Sequence, residues 1–464
     1  MVQDGQSVDR KWRVPKTASH RLAVLPFSAS DRRAAAAIRA GRSRSGQRPG
    51  VLVSLLAGLT LSGMVDLAHA AARPPQFLRA CRLPEAEPAR LLPPSPRAGQ
   101  EKDEGDDDAS ADAPDDGAVS GGFNLPGLAT CVRVSGTVNA GLQRDWYRTG
   151  LTTKATRLAP SSATSFPLSA SFRIESSQQL ADGTSLLTAF ELQTDAAADG
   201  SQETTLSEAS ITLGSWQFGY VSSRFDYWTG DDFAFLGRIP SRSVGMLAFT
   251  GALSDETTVS VSLEDTRMGQ SSLPVASRRF PDGVVRLLYE TDALAVQAAA
   301  ALREMPSASG ASTRLGRAGL LGLTWTPKIQ EHEIRISGQI AGAIDAPVYI
   351  GSQLDRRTVL PGLLPDEPTR GWSAVISIGW DWVSDWSSNI YVSRYRLSLP
   401  GSGLSASVGI DRATANLVWK PLEGLRLGAE LSIASQRANL SGRTAAIAFT
   451  GQQTSAQIFL ERSF

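Results

Sequence analysis

The feature that most constrains this chain is a two-residue alternation of apolar and polar side chains that recurs from residue 132 onward. In VRVSGTVNAGL (132–142) the even-numbered positions are apolar apart from one glycine, and the odd-numbered positions carry mostly Arg, Ser, Thr and Asn. Successive side chains of a β-strand point to opposite faces of its sheet, so this spacing predicts strands with one apolar and one polar face. The pattern returns in FPLSASFRI (166–174), TTVSVSLED (257–265), WSAVISIGWDW (372–382) and LRLGAELSI (425–433).

The alternating segments have the length and number expected of a barrel that crosses a membrane. Runs of about 9–11 residues let a tilted strand cross the hydrocarbon layer. We predict strands at 132–146, 165–177, 184–195, 204–214, 216–224, 245–253, 257–266, 282–291, 293–304, 316–327, 332–344, 371–383, 386–398, 410–420, 424–437 and 453–464. Short connections alternate with longer ones at 147–164, 225–244, 267–281, 345–370 and 399–409. The predicted fold class is therefore all-β, a 16-stranded antiparallel transmembrane β-barrel with short periplasmic turns and longer extracellular loops.

A soluble β-sandwich or propeller would also use alternating strands and is the alternative to a membrane barrel. Three features favour the barrel: the strands are long, Trp and Tyr gather near strand ends, and the last strand ends on Phe464. In a closed barrel this last strand pairs with the strand that begins near Val132, because an open edge would leave peptide groups unpaired in lipid. The aromatic residues expected at the membrane interfaces are Trp216, Tyr220, Tyr227, Trp228, Trp325, Trp372, Trp382 and Trp386.

The region before the predicted barrel divides into two parts. VLVSLLAGLTLSGMV (51–65) is an apolar run preceded by arginines and followed by AHA at 68–70, which is typical of a secretory signal peptide, with a buried helix as the alternative. Residues 1–70 are therefore predicted to form an N-terminal extension and signal peptide. Residues 71–131 are predicted to form a periplasmic segment, and residues 132–464 the transmembrane barrel.

The periplasmic segment contains an acidic insertion, EKDEGDDDASADAPDD (101–116). The surrounding stretch, 84–121, is rich in Pro, Asp, Ala and Gly and poor in large apolar residues, which predicts a disordered, solvated linker. A calcium site is the alternative, but the Asp spacing differs from that of a D-x-D-x-D-G loop. The whole chain balances 46 basic against 46 acidic residues, which excludes a strongly basic nucleic-acid-binding field over the protein.

The cysteines and histidines limit which covalent links, metal sites and catalytic sites the chain can form. Cys81 and Cys131, the two cysteines, both follow the predicted cleavage site; in an oxidising compartment we interpret the pair as one disulfide, with two free thiols as the alternative. Of three histidines, His332 alone lies beyond the presequence, so one copy of the chain cannot build a Ser-His or multi-histidine metal site. We therefore predict no enzyme activity, no catalytic residue, no metal site and no cofactor.

Several segments resemble, in order along the chain, those of a known protein family. FLRAC (77–81) and GGFNLPGLATCVRVSGTV (121–138) resemble an N-terminal signature in which two cysteines and an aromatic-x-x-Pro-Gly segment lead into the first strand. WQFGYVSSRFDYW (216–228), NLVWKPLEGLRLGAEL (416–431) and FLERSF (459–464) resemble the fifth strand with the loop that follows, the penultimate hairpin and the closing strand. The family is the alphaproteobacterial, rhizobial-type outer-membrane porins. In that family the two cysteines lie close together, whereas here the acidic insertion separates them.

This resemblance implies an outer-membrane porin that forms a water-filled channel for passive diffusion of small hydrophilic solutes and ions. It also implies a homotrimer, embedded in the lipid bilayer with its lipopolysaccharide. Phe464 would be read by the barrel-assembly machinery, and no nucleic acid is expected as a partner. The alternatives are a substrate-specific outer-membrane channel and a structural or adhesive barrel with an acidic periplasmic appendage.

The loop after the predicted fifth strand, RFDYWTGDDFAFLGRIPSR (224–242), is expected to fold inward and narrow the pore. Acids and bases that face each other there would create an electric field across the pore, which selects solutes by charge and dipole. The alternative is that this segment is an ordinary surface loop with solvated charges. The predicted constriction residues are Arg224, Asp226, Asp231, Asp232, Arg238 and Arg242. Further charges predicted to face the lumen are Arg133, Arg173, Glu175, Glu191, Glu208, Arg286, Arg335, Arg426 and Glu430. Their mixed signs leave the ion preference open.

Overall fold

The structure is a computed structural model of the chain. It describes residues 79–83, 89–91, 121–124, 130–151, 156–157, 159–196, 201–266, 280–306, 313–329, 332–352, 367–401, 404–442 and 446–464. The predicted signal peptide (1–70) and the acidic insertion (101–116) lie outside the described residues.

Sixteen long strands dominate the described residues, and we number them β1 to β16 in chain order. They are β1 Cys131–Leu151, β2 Leu168–Gln179, β3 Ser185–Ala196, β4 Gln202–Leu213, β5 Trp216–Ser222, β6 Ser243–Ala252, β7 Thr257–Asp265, β8 Asp282–Glu290, β9 Leu294–Pro306, β10 Thr313–Trp325, β11 His332–Ile344, β12 Arg370–Val383, β13 Trp386–Leu399, β14 Leu404–Leu422, β15 Leu425–Gly442 and β16 Ala446–Ser463. Each strand pairs antiparallel with its neighbours in sequence, and β16 pairs antiparallel with β1. The predicted 16-stranded antiparallel barrel is therefore confirmed.

Shorter elements complete the description. They are the strands Arg79–Arg82, Ala89–Arg90, Gly121–Asn124, Thr156–Arg157, Ser161–Ser165 and Lys328–Ile329, and a 3-10 helix at Pro347–Ile350. Strand Ser161–Ser165 pairs with β1 in the same register as β2, so the two form one barrel strand that is interrupted at Phe166 and Pro167. Proline lacks a backbone N–H and cannot donate to the ladder. No helix among the described residues is long and apolar enough to cross a membrane.

The barrel closes along the seam between β16 and β1. The pairing runs from Phe449 opposite Leu151 to Ser463 opposite Thr137. One residue further, the backbone N–H of Phe464 donates to Gly136 O and the Gly136 N–H donates to Phe464 O, both at 3.0 Å. Every strand of the barrel therefore has two hydrogen-bonded neighbours, which a membrane-spanning sheet requires.

The connections differ in length at the two ends of the barrel. One end holds the short connections 180–184, 214–215, 253–256, 291–293, 326–331, 384–385 and 423–424. The other end includes the long connections 223–242, 266–281 and 345–369. Four predicted boundaries were wrong at this second end, because β1 extends to Leu151, β14 begins at Leu404, β15 extends to Gly442 and β16 begins at Ala446. Alternation marks only the stretch with an apolar outer face, whereas backbone pairing continues beyond it.

The outer face of the barrel is apolar and the inner face is polar. On β12, for example, Trp372, Ile376 and Ile378 are exposed on the outside, while Ser373 and Ser377 are buried on the inside. Six tryptophans lie exposed near the short connections, where an interfacial girdle is expected. They are Trp216, Trp325, Trp380, Trp382, Trp386 and Trp419.

Two of the predicted girdle residues, Tyr227 and Trp228, lie elsewhere. Both belong to the connection 223–242 inside the barrel, and the Trp228 ring is buried. Their position near the end of β5 suggested a membrane interface, but the chain turns inward directly after this strand. Aromatic rings near a strand end can therefore serve internal packing instead of lipid contact.

The N-terminal segment is fastened to the barrel beside β1. Strand Gly121–Asn124 pairs with the start of β1 and with strand Arg79–Arg82, and a disulfide joins Cys81 to Cys131. The disulfide packs against Gly122, where a Cβ atom would lie 2.7 Å from Cys131 Sγ. Only glycine leaves room for the sulfur at this position.

A second attachment lies within the stretch predicted to be disordered, 84–121. Strand Ala89–Arg90 pairs parallel with the end of β6, and the Leu91 N–H donates to Ala252 O at 2.7 Å. Arg90 also forms an ion pair of 2.7 Å with Asp255. Strand β5 begins opposite Phe249, so the last residues of β6 have no partner strand on that side. Strand Ala89–Arg90 pairs with this free edge. Backbone pairing therefore orders a segment whose composition alone favours disorder.

The barrel seam depends on the absence of a side chain at Gly136. A Cβ atom there would lie 2.5 Å from Ser171 O and 2.7 Å from Phe464 Cζ. We expect Gly136→Val to cost about 1–3 kcal/mol through overpacking and to lower the yield of the folded barrel on refolding into detergent. The measurement is the heat-modifiable band on a polyacrylamide gel. Gly342→Val is the matched control, because its Cβ meets no atom within 4 Å; equal yields for both variants would contradict the expectation.

We expect the barrel to fold without the disulfide. The sixteen-stranded ladder closes without Cys81, so we expect Cys81→Ser to leave the thermal transition of the barrel within about 2–4 °C of the parent. The short strand Arg79–Arg82 then loses its covalent link, and limited trypsin digestion should remove the N-terminal segment faster. Loss of the folded barrel in Cys81→Ser would show that the disulfide is required for closure.

Candidate functional site

The connection between β5 and β6, residues 223–242, lies inside the barrel, and we call it the inner loop. Its apolar side chains Phe225 and Phe235 are 0% and 1% exposed. Its backbone and side chains contact the inner faces of strands β7 and β9 to β15. The inner loop therefore occupies the lumen along one side of the wall.

The base of the inner loop is held by two carboxylates. Glu264 on β7 accepts hydrogen bonds from Ser223 Oγ at 2.7 Å and from the Arg224 N–H at 3.0 Å. Asp226 accepts from the Arg242 N–H at 2.6 Å and so joins the two ends of the loop. Burial lowers the pKa of the Arg224 guanidinium, while Glu264 and Glu208 act in the opposite direction.

The middle of the inner loop is bound by polar side chains of β9 to β12. Tyr227 donates from its hydroxyl to Thr324 Oγ1 at 2.8 Å. The Trp228 N–H donates to Gln339 Oε1 at 2.9 Å, and its Nε1 donates to Ser377 Oγ at 3.1 Å. These wall side chains satisfy donors that a loop in a narrow lumen could not pair within itself.

The tip of the inner loop is anchored by Glu430 on β15. Its carboxylate, 3% exposed, accepts from the Ala234 N–H at 2.9 Å and from the Phe235 N–H at 2.7 Å. Tyr391 on β13 donates to Phe235 O at 2.5 Å, and Asn416 on β14 donates from Nδ2 to Asp232 O at 2.5 Å. Both carboxyl oxygens of Glu430 accept a backbone N–H, so this side chain is the principal polar contact of the tip.

Apolar packing supports the same arrangement. Phe233 and Trp228 of the loop pack on Tyr391, with ring centroids 4.7 and 5.4 Å from that of the tyrosine. A second inward segment, residues 345–352, was not anticipated from the sequence. Its Tyr349 packs on Phe225 with ring centroids 4.8 Å apart. These contacts bury aromatic surface inside a barrel whose strand pattern predicts a polar interior.

The six predicted constriction residues fall into different environments. Asp231 is exposed, and Asp232 forms a 3.3 Å ion pair with Arg335 of the wall while both side chains remain more than a third exposed. Arg224 donates to Gln217 Oε1 on β5 at 2.5 Å. Asp226 and Arg242 contact each other, and Arg238 is half-buried on the loop. The structure therefore brings Asp231 and Asp232 together at the lumen and assigns Asp226 and Arg242 to the loop base.

Five of the predicted lumen charges form one network on strands β1 to β4. Arg173 contacts Glu175 at 2.9 Å, Glu191 at 2.9 Å and Glu208 at 2.7 Å, and Arg133 also pairs with Glu175. Among the described residues, no hydrogen bond joins this network to the inner loop, and Glu208 lies close enough to Arg224 at the loop base for their charges to interact. The network holds more acids than bases and keeps them partly exposed.

The remaining predicted charges lie apart from this network. Arg286 on β8 donates to Ser260 Oγ at 3.3 Å, and Arg426 on β15 pairs with Glu461 at 3.1 Å. Arg335 faces Asp232, as described above, and Glu430 anchors the loop tip. The predicted positions are thus distributed around the inner wall, and they do not form a single cluster.

Sequence reasoning missed several buried acids, which include Glu264, Asp282 and Asp345; another is Asp145 on β1. It accepts hydrogen bonds from Gln143 Nε2 at 2.8 Å, Gln453 Nε2 at 3.1 Å and Ser455 Oγ at 2.5 Å. These contacts link the inner faces of β1 and β16 across the seam. The strand alternation could have found it, because Asp145 shares the odd-numbered face of β1 with Arg133.

A cavity of about 480 Å³ lies between the inner loop and strands β8 to β13. It is lined by charged side chains that include Asp231, Asp232, Arg286, Glu290 and Arg335. Among the described residues, no group of three or more His, Cys, Asp or Glu could hold a metal ion.

Removing the Glu430 carboxylate should loosen the loop tip, because the N–H groups of Ala234 and Phe235 lose their acceptor. If the barrel conducts, Glu430→Ala should increase current fluctuations in planar bilayers at least about threefold, since two hydrogen bonds are lost and each is worth roughly 0.5–1.5 kcal/mol. Glu461→Gln also removes a lumen-facing acid but does not touch the loop, and it should leave the fluctuations unchanged. Identical noise in the two variants would show that Glu430 does not position the loop.

Comparison with known proteins places this barrel among channel-forming folds. Residues 119–347 match the family described as Porin subfamily. No curated protein matches the sequence significantly. The match bears out the resemblance to outer-membrane porins, whereas the alphaproteobacterial, rhizobial-type assignment stays a prediction.

Solved structures similar to this chain include three outer-membrane proteins. The outer membrane channel DcaP of Acinetobacter baumannii is 13% identical with a TM-score of 0.52, over 72% of this chain and 98% of that one. The anion-selective porin from Comamonas acidovorans is 10% identical with a TM-score of 0.47, over 72% and 100%. OmpT of Vibrio cholerae in a trimer form is 10% identical with a TM-score of 0.41, over 73% and 100%. The likeness to DcaP shows that the chain has the fold of an outer-membrane channel.

Proposed function

We propose that the chain is an outer-membrane porin, a water-filled channel for passive diffusion of small hydrophilic solutes and ions. The observation that supports this most directly is the inner loop, held by hydrogen bonds against one side of a closed sixteen-stranded barrel. Barrels of sixteen or more strands are wide enough to keep an aqueous lumen. A loop fastened to one side of such a lumen narrows the pore without filling it.

The charges at the narrowed level set the selectivity. Asp231 and Asp232 face the lumen from the loop, and Arg335 faces them from the wall. The network around Arg173 lies on the wall formed by β1 to β4. Separated charges of both signs produce a field across the pore that favours small polar solutes over apolar ones. The other constriction candidates, Arg224, Asp226, Arg238 and Arg242, act mainly by holding the loop.

The same proposal covers the surroundings of the barrel. The short connections face the periplasm and the long ones face the exterior, with lipid and lipopolysaccharide around the apolar outer face. The protein acts without catalytic chemistry and assembles as a homotrimer, as the family resemblance implies. Phe464, which closes the seam against Gly136, is the residue that the barrel-assembly machinery reads.

Replacing both lumen-facing aspartates tests the assignment of the constriction. Asp231→Asn/Asp232→Asn removes two negative charges at the narrowed level and leaves Arg335 without its ion-pair partner. We expect the reversal potential in a salt gradient to shift toward anion preference, with conductance within about threefold of the parent because the loop backbone contacts remain. The measurement is the current–voltage curve in a planar bilayer.

A matched control removes two acids from the rim of the barrel instead. Asp182→Asn/Asp292→Asn alters the short connections and should leave the reversal potential unchanged. An unchanged potential in the Asp231/Asp232 variant would remove these residues from the constriction.

Liposome swelling with small sugars tests the pore itself: a barrel that does not admit them, or that saturates with one solute only, is not a general porin.

A further inference from the structure

The outer face of the barrel carries a concavity of about 950 Å³ that the pore does not use. It spans strands β10 to β15 and lies near the end of the barrel that has the long connections. Its rim is made by the outward side chains Arg317, Arg370, Trp372, Arg396 and Arg437. We call this concavity the outer cleft.

Glycines create the floor of the outer cleft. A Cβ atom at Gly342 would meet no atom within 4 Å, and one at Gly319 would meet only Ala299 O at 3.9 Å. These two glycines are opposite each other on β10 and β11. A third, Gly409, lies beneath Arg396, whose Nη1 would be 3.1 Å from an added Cβ. The space above the first two glycines is open toward the outside of the barrel.

The charge of the outer cleft is strongly positive and largely uncompensated. Asp411 is the acid in its lining, and it already forms ion pairs with Arg396 at 2.9 Å and with Arg394 at 2.7 Å. Within the part of the chain that the structure describes, the side chains of Arg317, Arg370 and Arg437 form no hydrogen bond or ion pair. All three are exposed.

The outer cleft adjoins the apolar belt. Leu321, Ile340 and Ile376 continue β10, β11 and β12 toward the middle of the barrel, and each is more than half exposed on the outside. Trp372 lies between this belt and Arg370 on the same strand, as expected of a residue at the membrane interface. Unpaired arginines on the lipid side are costly unless headgroups or water reach them, so the cleft lies where polar lipid headgroups begin.

We propose that the outer cleft binds a membrane lipid whose headgroup carries phosphate groups, with its acyl chains against the apolar belt. Guanidinium groups match phosphate oxygens in a forked geometry, and three of them here have no side-chain partner among the described residues. The proposal rests on the outer-membrane location in the proposed function, but it does not depend on conduction through the pore.

The extent of the outer cleft indicates which phosphate-bearing headgroups fit. Arg317 on β10 and Arg437 on β15 are separated by five strand spacings of about 4.8 Å, or roughly 24 Å along the wall. One phosphate contacts only one end of such a row. A glycolipid headgroup with two phosphates, built on linked sugars that fill the space above Gly319 and Gly342, uses both ends.

The test uses the full mature chain, refolded in detergent and titrated with lipid A that carries both phosphates. We expect Arg317→Gln/Arg370→Gln/Arg437→Gln to weaken the affinity about tenfold or more, because each lost pair is a charged hydrogen bond. Arg148→Gln is the control, since it removes an exposed, outward-facing arginine of β1 that lies outside the cleft. Lipid A without phosphates should bind the parent protein as weakly as lipid A with phosphates binds the triple variant.

A second variant tests the shape of the site without changing its charge. Gly342→Leu fills the floor of the outer cleft and should weaken lipid A binding about tenfold, with the single-channel conductance unchanged. Three results would overturn the proposal. The first is equal affinity of the parent and the triple variant for lipid A, and the second is equal binding of lipid A with and without phosphates by the parent. The third is an affinity of the parent for inorganic phosphate that equals its affinity for lipid A. Dissociation of an oligomer in the triple variant, with lipid binding unchanged, would also overturn it and assign the cleft to contact between copies.

Discussion

The backbone hydrogen bonds between neighbouring strands are the interaction on which the rest of this structure depends. A peptide group that faces lipid cannot bond to water, so a sheet in a membrane is stable only when it has no free edge. The seam between β16 and β1 removes that edge, and Phe464 continues it to Gly136. Closure also separates the two faces of every strand, because one lies toward lipid and the other toward the lumen. The apolar outer belt and the charged inner wall follow from this separation.

The inner loop shows how the barrel wall positions the connection between two strands. A loop has few hydrogen bonds of its own, and its donors must be paired when water is scarce. Here the wall supplies the partners, from Glu264 at the base through Gln339 to Glu430 at the tip. Glu430, which the sequence analysis predicted to be a lumen-facing charge, is buried and holds the loop tip.

The sequence allowed the barrel to be predicted closely but the site only in part. Strand number, order and the inward direction of residues such as Arg173 and Arg335 follow from a period of two, which is a local property of the backbone. The roles of those residues did not follow. Tyr227 and Trp228 resemble interfacial aromatics, yet they pack inside the barrel, and Asp226 and Arg242 resemble lumen charges, yet they join the two ends of the loop. Each role depends on a partner that is distant in sequence.

By itself, the sequence determined that this chain alternates lipid-facing and lumen-facing side chains around a closed barrel, because alternation is encoded residue by residue. The tertiary structure decided which charges meet. Arg317, Arg370 and Arg437 come from three separate strands, and only the pairing of β10 to β15 and the glycines between them bring these side chains to one cleft. The loop 223–242 likewise has no preferred position of its own, and its place is set by side chains on eight different strands. Contacts between distant segments depend on the register and shear of the whole barrel, which no single stretch of sequence specifies.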